Sequence, residues 1–172
     1  MKICNIENKK RVSIFKVCLL YLQFLLFANQ IKKEKHLLPQ KPFDLMKQYL
    51  QGLSVIVVNK GMIVAHVTLW ELEENWYEVG TIWVNNDYRK HGLGRKIMKQ
   101  VLSDNVEKKI LGTSTNSVMQ VICVECKMDN LSFNDLPPNI HIATCICDKS
   151  KTGSNDPLKC IIKDNKCQLF VK

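Results

Sequence analysis

The sequence has no internal repeat and no long low-complexity tract, which leaves its 172 residues to a single domain, residues 1–172, long enough to bury a proper core. Acidic side chains are scarce, 16 against 25 basic ones, for a net charge of +9. Such a surface favours anionic partners: phosphorylated cofactors, nucleic acid or lipid headgroups. The lysines are spread along the whole chain, as at Lys32-Lys33, Lys108-Lys109 and Lys149. That spread makes a generally basic surface rather than a dedicated stripe, so no nucleic-acid partner is expected. An unbroken apolar run is also missing. Val12 to Ala28 is interrupted by Lys16 and Gln23 and falls short of the ~20 apolar residues of a spanning helix. The basic Lys9-Lys10-Arg11 before it resembles a secretory leader, but Phe27-Ala28-Asn29 is a poor cleavage site. Residues 12–28 are therefore expected as an uncleaved amphipathic helix of the domain core. The protein is expected in the cytoplasm, with no membrane partner.

Eight cysteines are many for a cytosolic enzyme, but their spacing does not make a metal site. Cys123 and Cys126 fall in "VMQVICVECK", which reads as a strand. On a strand, residues three apart point to opposite faces, which disfavours both zinc chelation and a redox dithiol. Cys145 and Cys147 share a strand face, yet two ligands do not make a structural zinc site. Buried thiols and no metal are the expectation. A disulfide between Cys160 and Cys167 across a hairpin stays open.

Read for pattern, "MKICNIEN" is a short first strand, and "KPFDLMKQYLQG" a short helix with Pro42 near its start and Gly52 after its end. "LSVIVVN" and "MIVAHVTLWEL" are strands joined by Lys60-Gly61, a hairpin signal. A third strand runs from about Trp76 to Val84, and a helix from about Leu93 to Val106. "SVMQVICVECK", "IHIATCIC" and "KCIIKDNKCQLFVK" read as further strands, the last turning at Asp164-Asn165. Between them "MDNLSFNDLPPN" reads as a loop or a short helix cut off by Pro137-Pro138, and "DKSKTGSNDP" as a polar loop. The plan is α+β and lacks the regular βαβ alternation of a dinucleotide fold.

The stretch "YRKHGLGRKIMKQVL" carries the functional signal. It places R-x-x-G-x-G between a strand and a helix. A helix start has unpaired N–H groups and a partial positive charge. Glycine turns the backbone sharply and lets a ligand come close. Together with Arg89, Lys90 and Arg95 this is a cradle for a phosphate or pyrophosphate. The P-loop pattern G-x-x-x-x-G-K-[ST] is absent, and so are G-x-G-x-x-G and its βαβ unit. That leaves a flexible helix start with a solvated basic face as the plain alternative.

The wider context, "TIWVNNDYRKHGLGRKIMKQVL", resembles the acetyl-CoA-binding motif of the GCN5-related N-acetyltransferases (GNAT). Ile82-Trp83-Val84 ends a strand, a polar turn leads to Tyr88-Arg89 and Gly92-Leu93-Gly94, and Ile97-Met98 follow on the helix. The resemblance is strong over residues 55–102, weaker to 130 and faint elsewhere; the best-supported part of the domain is 55–130. It implies a mixed, mostly antiparallel central sheet flanked by helices. It implies acetyl-CoA as acyl donor, its pyrophosphate held by loop N–H groups of Arg89, Lys90, His91, Gly92, Leu93 and Gly94. Lys90 and Arg95 would reach outer phosphates, and His91 would only line the loop. Ile82, Trp83 and Val84 would pair by backbone with the pantetheine arm, an N–H near Val84 polarising the thioester carbonyl.

An amine must lose a proton to attack a thioester. Glu78, six residues before Val84, shares its strand face under ideal alternation and sits where some members carry a general-base glutamate. Gly80 between them could host a bulge that alters the alternation. Glu125 is the second candidate: "VECKMDN" resembles the Glu and Asn of the fifth strand in several subfamilies, and Asn130 would then touch the cofactor. Each glutamate could equally be a surface charge or a structural hydrogen-bonding group. Trp70, Trp76, Tyr77 and Trp83 are expected to pack in the sheet, with one or two of them able to line an acceptor pocket. In one respect the chain departs from the family: "SFNDLPPN" has no tyrosine to protonate the leaving thiolate, and Pro137-Pro138 shorten the helix there. The function implied is acetyl transfer to a primary amine, on a small molecule or a protein, by direct attack in a ternary complex. The alternative is a non-catalytic coenzyme A-binding or regulatory domain. Monomer and homodimer stay open.

Overall fold

A computed structural model describes residues 2–4, 14–34, 37, 39–144 and 167–172. The fold is α+β, with a mixed, mostly antiparallel sheet and flanking helices. By contact density the chain forms two compact units, Met1–Leu69 with Gly80–Val106, and Trp70–Val79 with Glu107–Lys172.

In the first unit, β1 (Lys2–Cys4), β2 (Ser54–Asn59) and β3 (Met62–Glu71) run antiparallel in that order, followed by β4 (Trp76–Val84), whose C-terminal half belongs here. Lys60 and Gly61 close the β2–β3 hairpin with φ of 47° and 78°. Positive φ at both central residues is what a type I′ turn needs, and it matches the right-handed twist of the strands. Helix α1 (Ile14–Ile31) extends the expected apolar helix at its C-terminal end. Phe24, Phe27, Ala28 and Ile31 are buried, a stripe at helical spacing, while Leu19, Leu22 and Leu26 stay exposed. Among the described residues no helix is long and apolar enough to cross a membrane. Helix α2 (Pro42–Leu50) buries Leu45, Met46 and Tyr49, and α3 (Leu93–Ser103) buries Leu93, Ile97, Met98, Val101 and Leu102. The Ile97-Met98 pair is thus the packing face that the sequence suggested.

In the second unit the N-terminal half of β4 pairs in parallel with β5 (Lys109–Ser114), setting Glu78 opposite Leu111. β5 pairs antiparallel with β7 (Gln168–Val171), and β7 with β6 (Asp129–Leu131). Its core gathers Leu111, Leu136, Ile140 and Leu169.

Here the sequence pattern misleads twice. "SVMQVICVE" is not a strand but helix α4 (Ser117–Glu125). Asn116 caps it, its side chain accepting from the Val118 N–H at 2.9 Å. Cys123 and Cys126 are buried and Met119 and Ile122 half-buried, a helical spacing, while Val118, Val121 and Val124 face outward. A short run of β-branched apolar residues cannot be told from a helix by periodicity alone, and the cap decides it. "IHIAT" likewise lies in helix α5 (Pro138–Thr144), which starts at a proline suited to a first turn. The pattern also missed two strands, the parallel β5, "KILGTS", and the short β6 inside "MDNLSFNDLPPN", where a single 3-10 turn, Phe133–Asp135, follows. The expected turn at Asp164-Asn165, Cys145, Cys147 and the Cys160–Cys167 pairing lie outside the described residues, at least in part.

Candidate functional site

The glycine loop begins where β4 ends. Asn85 donates its backbone N–H to the Val64 carbonyl at 2.9 Å, tying the strand end to β3. A single 3-10 turn, Asn86–Tyr88, follows, its start capped by the Asn85 side chain, which accepts from Asp87 N–H. Tyr88 is held from β2 by the Asn59 side-chain amide, which donates to its hydroxyl. Arg89 turns back on the strand: its Nε donates to the Val84 carbonyl at 2.9 Å, and its Nη2 lies 3.5 Å from Glu34 Oε1. The Arg89 side chain therefore pins the loop to the end of β4, and Lys90, Arg95 and Lys96 are exposed beside the helix start.

Lys90 and Gly92 adopt left-handed conformations, at φ of 65° and 71°. Gly92 is the N-cap of α3 and offers no side chain to cap it. Lys96 N–H makes the first bond of the helix, to the Gly92 carbonyl. A Cβ built on Gly92 would meet nothing within 4 Å, so the space beside that residue is open. No acidic residue stands in the first turn, where Arg95 and Lys96 are found instead. Cations at a helix start oppose its dipole, and an anion bound there would reverse that sign. The loop is thus shaped and charged to receive a phosphate group.

In β4, Ile82 and Val84 are half-buried while Trp83 is buried on the opposite side. The Trp83 ring packs on Phe27 of α1, centroids 5.3 Å apart, and its Nε1 donates to Glu34 Oε1 at 3.0 Å. Glu34 thus ties Trp83 and Arg89 together. No local pattern marks Glu34, because its partners are far along the chain. The irregularity expected at Gly80 falls one residue later: Thr81 is buried and left-handed, at φ of 50°. For a β-branched residue that conformation costs roughly 1–2 kcal/mol and must be held by its surroundings.

Glu78 points into the second unit. Thr113 Oγ1 of β5 donates to its Oε1 at 3.1 Å. Burial pushes the Glu78 carboxyl up from 4.5 to about 7, against the Thr113 hydrogen bond, which pulls it down. A carboxylate titrating near neutrality is suited to general-base work. Thr113 escaped the sequence reading because β5 did. Glu125 is different: it is the exposed last residue of α4, so the fifth-strand placement that recommended it is corrected. Asn130 is exposed on β6 opposite Phe170. Of the aromatics, Tyr77 and Trp83 are buried and Trp70 and Trp76 half-buried.

The cysteine pair at the end of α4 lies on one helical face, correcting the opposite-face expectation. Burial, and Cys126 beside it, push the Cys123 thiol up to about 11, the reverse of a reactive thiolate. Among the described residues no group of three or more His, Cys, Asp or Glu could hold a metal.

Solved structures share this fold at low identity. N-acetylglutamate synthase from Neisseria gonorrhoeae, complexed with coenzyme A and N-acetyl-glutamate, aligns with TM-score 0.59 and 11% identity over 99% of this chain. The chain spans only 34% of that protein's length. A Mycobacterium tuberculosis protein in complex with CoA gives TM-score 0.63 and 12% identity, covering 88% of this chain and 95% of the other. Diaminobutyrate acetyltransferase from Paenibacillus lautus, with L-2,4-diaminobutyric acid and coenzyme A, gives 0.55 and 13%, covering 88% and 89%. No curated protein matches the sequence. The acetyltransferase (GNAT) family matches residues 24–116, a span that takes in β4, the glycine loop and α3 together. That is more than half of the 172 residues, and the chain belongs to the acetyltransferase (GNAT) family, enzymes that carry an acetyl group from acetyl-CoA to an amine.

Proposed function

We propose that this protein transfers the acetyl group of acetyl-CoA to a primary amine by direct attack, with both substrates bound at once. The observation that carries the reading is the continuous run from β4 through Gly92 into α3, an open glycine loop with cations at an uncapped helix start. Amides of Lys90, His91, Gly92, Leu93 and Gly94 would hold the pyrophosphate, with Lys90 and Arg95 against its outer charge, while the Arg89 N–H is taken by the Asn86 carbonyl at 3.2 Å. The Ile82–Val84 backbone would take the pantetheine arm, and an N–H near Val84 would face the oxygen on which charge develops. Acetyl-CoA supplies the activated acyl group. Glu78, on the same strand as Val84, would take the proton from the attacking amine. As the carbon–sulfur bond breaks, the thiolate would take a proton from water, since no tyrosine stands in the stretch where the family carries one. Complexes of similar proteins with coenzyme A together with N-acetyl-glutamate or L-2,4-diaminobutyric acid support coenzyme A as the donor, and the acceptor is a small-molecule or protein amine.

Coenzyme A titration by calorimetry, followed by thioester turnover with a panel of primary amines, tests this. Binding with turnover is expected. Binding without turnover across the panel would make the protein a coenzyme-binding regulatory domain, and no binding would end the reading. A further expectation concerns Thr113. Thr113→Val removes the donor that holds the Glu78 carboxyl down, so its pKa should rise beyond the present value near 7. The base works deprotonated, so the rising limb of kcat/KM should move to higher pH. At neutral pH the loss should be about fivefold, the size of a ~1 kcal/mol hydrogen bond, converging with wild type in alkali. A pH–rate profile that does not move would detach Glu78 from proton transfer.

A further inference from the structure

His66 of β3 is fully buried, an unusual place for a polar, titratable ring. It is enclosed by α1: the Phe27 ring lies 4.8 Å from the imidazole centroid and the Phe24 ring 6.3 Å, nearly edge-on. Its Nδ1 is 3.1 Å from the Thr81 carbonyl and its Nε2 is 2.9 Å from Ser54 Oγ. A carbonyl only accepts, so Nδ1 carries the proton and donates to Thr81. Nε2 and the Val67 carbonyl, 3.0 Å from Ser54 Oγ, then share the single hydroxyl proton of Ser54. Burial lowers the imidazole pKa to about 4, and the bond to Thr81 opposes that, so the ring is neutral at physiological pH. The tautomer is therefore set by Thr81.

Thr81 is the left-handed residue of β4, and Ile82 to Val84 follow it directly. A left-handed residue inside a strand redirects every peptide that follows. A β-branched side chain holds that conformation only when neighbours impose it. Phe27 touches both His66 and Trp83, so one ring braces the donor and the strand it acts on.

We propose that His66 is a positioning residue for the acyl donor: through its Nδ1–H it holds the Thr81 turn, and so aims the Ile82–Val84 backbone at the pantetheine arm. This rests on the reading of the site given above. It predicts a far larger effect on the arm than on the pyrophosphate loop, because the loop is also held by Asn85 and Tyr88 through Val64 and Asn59, which His66 does not touch.

Two ligands separate these parts: acetyl-CoA, and 3′-phospho-ADP, which has the pyrophosphate and no arm. His66→Leu fills the volume without a donor. It should raise the Kd of acetyl-CoA ~10-fold or more and leave that of 3′-phospho-ADP within about twofold. His66→Asn places an amide N–H where Nδ1 stands and should restore acetyl-CoA binding. His66→Gln keeps a polar group on the Ser54 side only and should not. If His66→Leu does not fold, the Asn and Gln pair decides the matter. Equal effects of a folded variant on both ligands, no effect on either, or Gln restoring as well as Asn would overturn the inference. Failure of the wild-type protein to bind either ligand would instead overturn the reading of the site.

Discussion

Glu78→Gln should lower turnover ~10²–10⁴-fold, the usual contribution of a positioned base, while coenzyme affinity stays near wild type. Glutamine keeps the size of the side chain and a partner for Thr113, and removes the basicity. Part of the loss should return at higher pH, where more of the amine is already neutral. The same substitution should stabilise the fold in alkali. The Glu78 carboxyl is raised from 4.5 to about 7, so the unfolded chain releases its proton first. Its contribution to stability is therefore full below about 4.5 and is lost as the pH rises to about 7. At ~1.4 kcal/mol per pKa unit, discounted for partial exposure, ionising it in the fold costs on the order of 2 kcal/mol at pH 8. Glutamine carries no such penalty. Thermal melts at pH 8 and pH 4 should show Glu78→Gln more stable than wild type only at the higher value. Normal turnover of this variant, with Glu125→Gln inactive, would move the base to α4. Two normal variants would leave the amine to arrive deprotonated from solution.

Replacing Gly92 and Gly94 together by valine should abolish measurable acetyl-CoA binding, a loss of at least ~100-fold, with the sheet still folded. Two causes act together. At Gly92 the backbone is left-handed, so valine would distort the start of α3 at roughly 1–2 kcal/mol. The new side chain would also occupy the open space through which a pyrophosphate approaches the amides. Strain alone predicts a lower melting temperature with binding retained, and obstruction alone the reverse. Calorimetry on the folded double variant reads the second, and unchanged affinity there would overturn the loop assignment.

Much of this was legible from short-range chemistry. The β2–β3 hairpin shows in Lys60-Gly61, because only certain residues accept positive φ. The loop and α3 show in R-x-x-G-x-G followed by helical spacing, because a tight turn and a helix start are local backbone features. Glu78 was legible as a candidate because it shares a strand with Val84. Other features depend on residues far apart in sequence. Burial in the folded chain raises the Glu78 carboxyl, and the Thr113 hydroxyl of β5 that opposes the shift lies 35 residues away. The bracing of Trp83 and Arg89 needs Glu34, 49 and 55 residues before them. His66 reads in sequence as one polar position in a buried strand, and only packing shows its ring between α1 and Thr81. The helical state of α4 was likewise decided by its cap and by which side of it could be buried. Local pattern determined where the backbone turns and where charge gathers, because those choices cost or release energy within a few residues. The tertiary structure decided which side chains share a dry environment, because desolvation and a hydrogen-bond partner are properties of a place and not of a residue type.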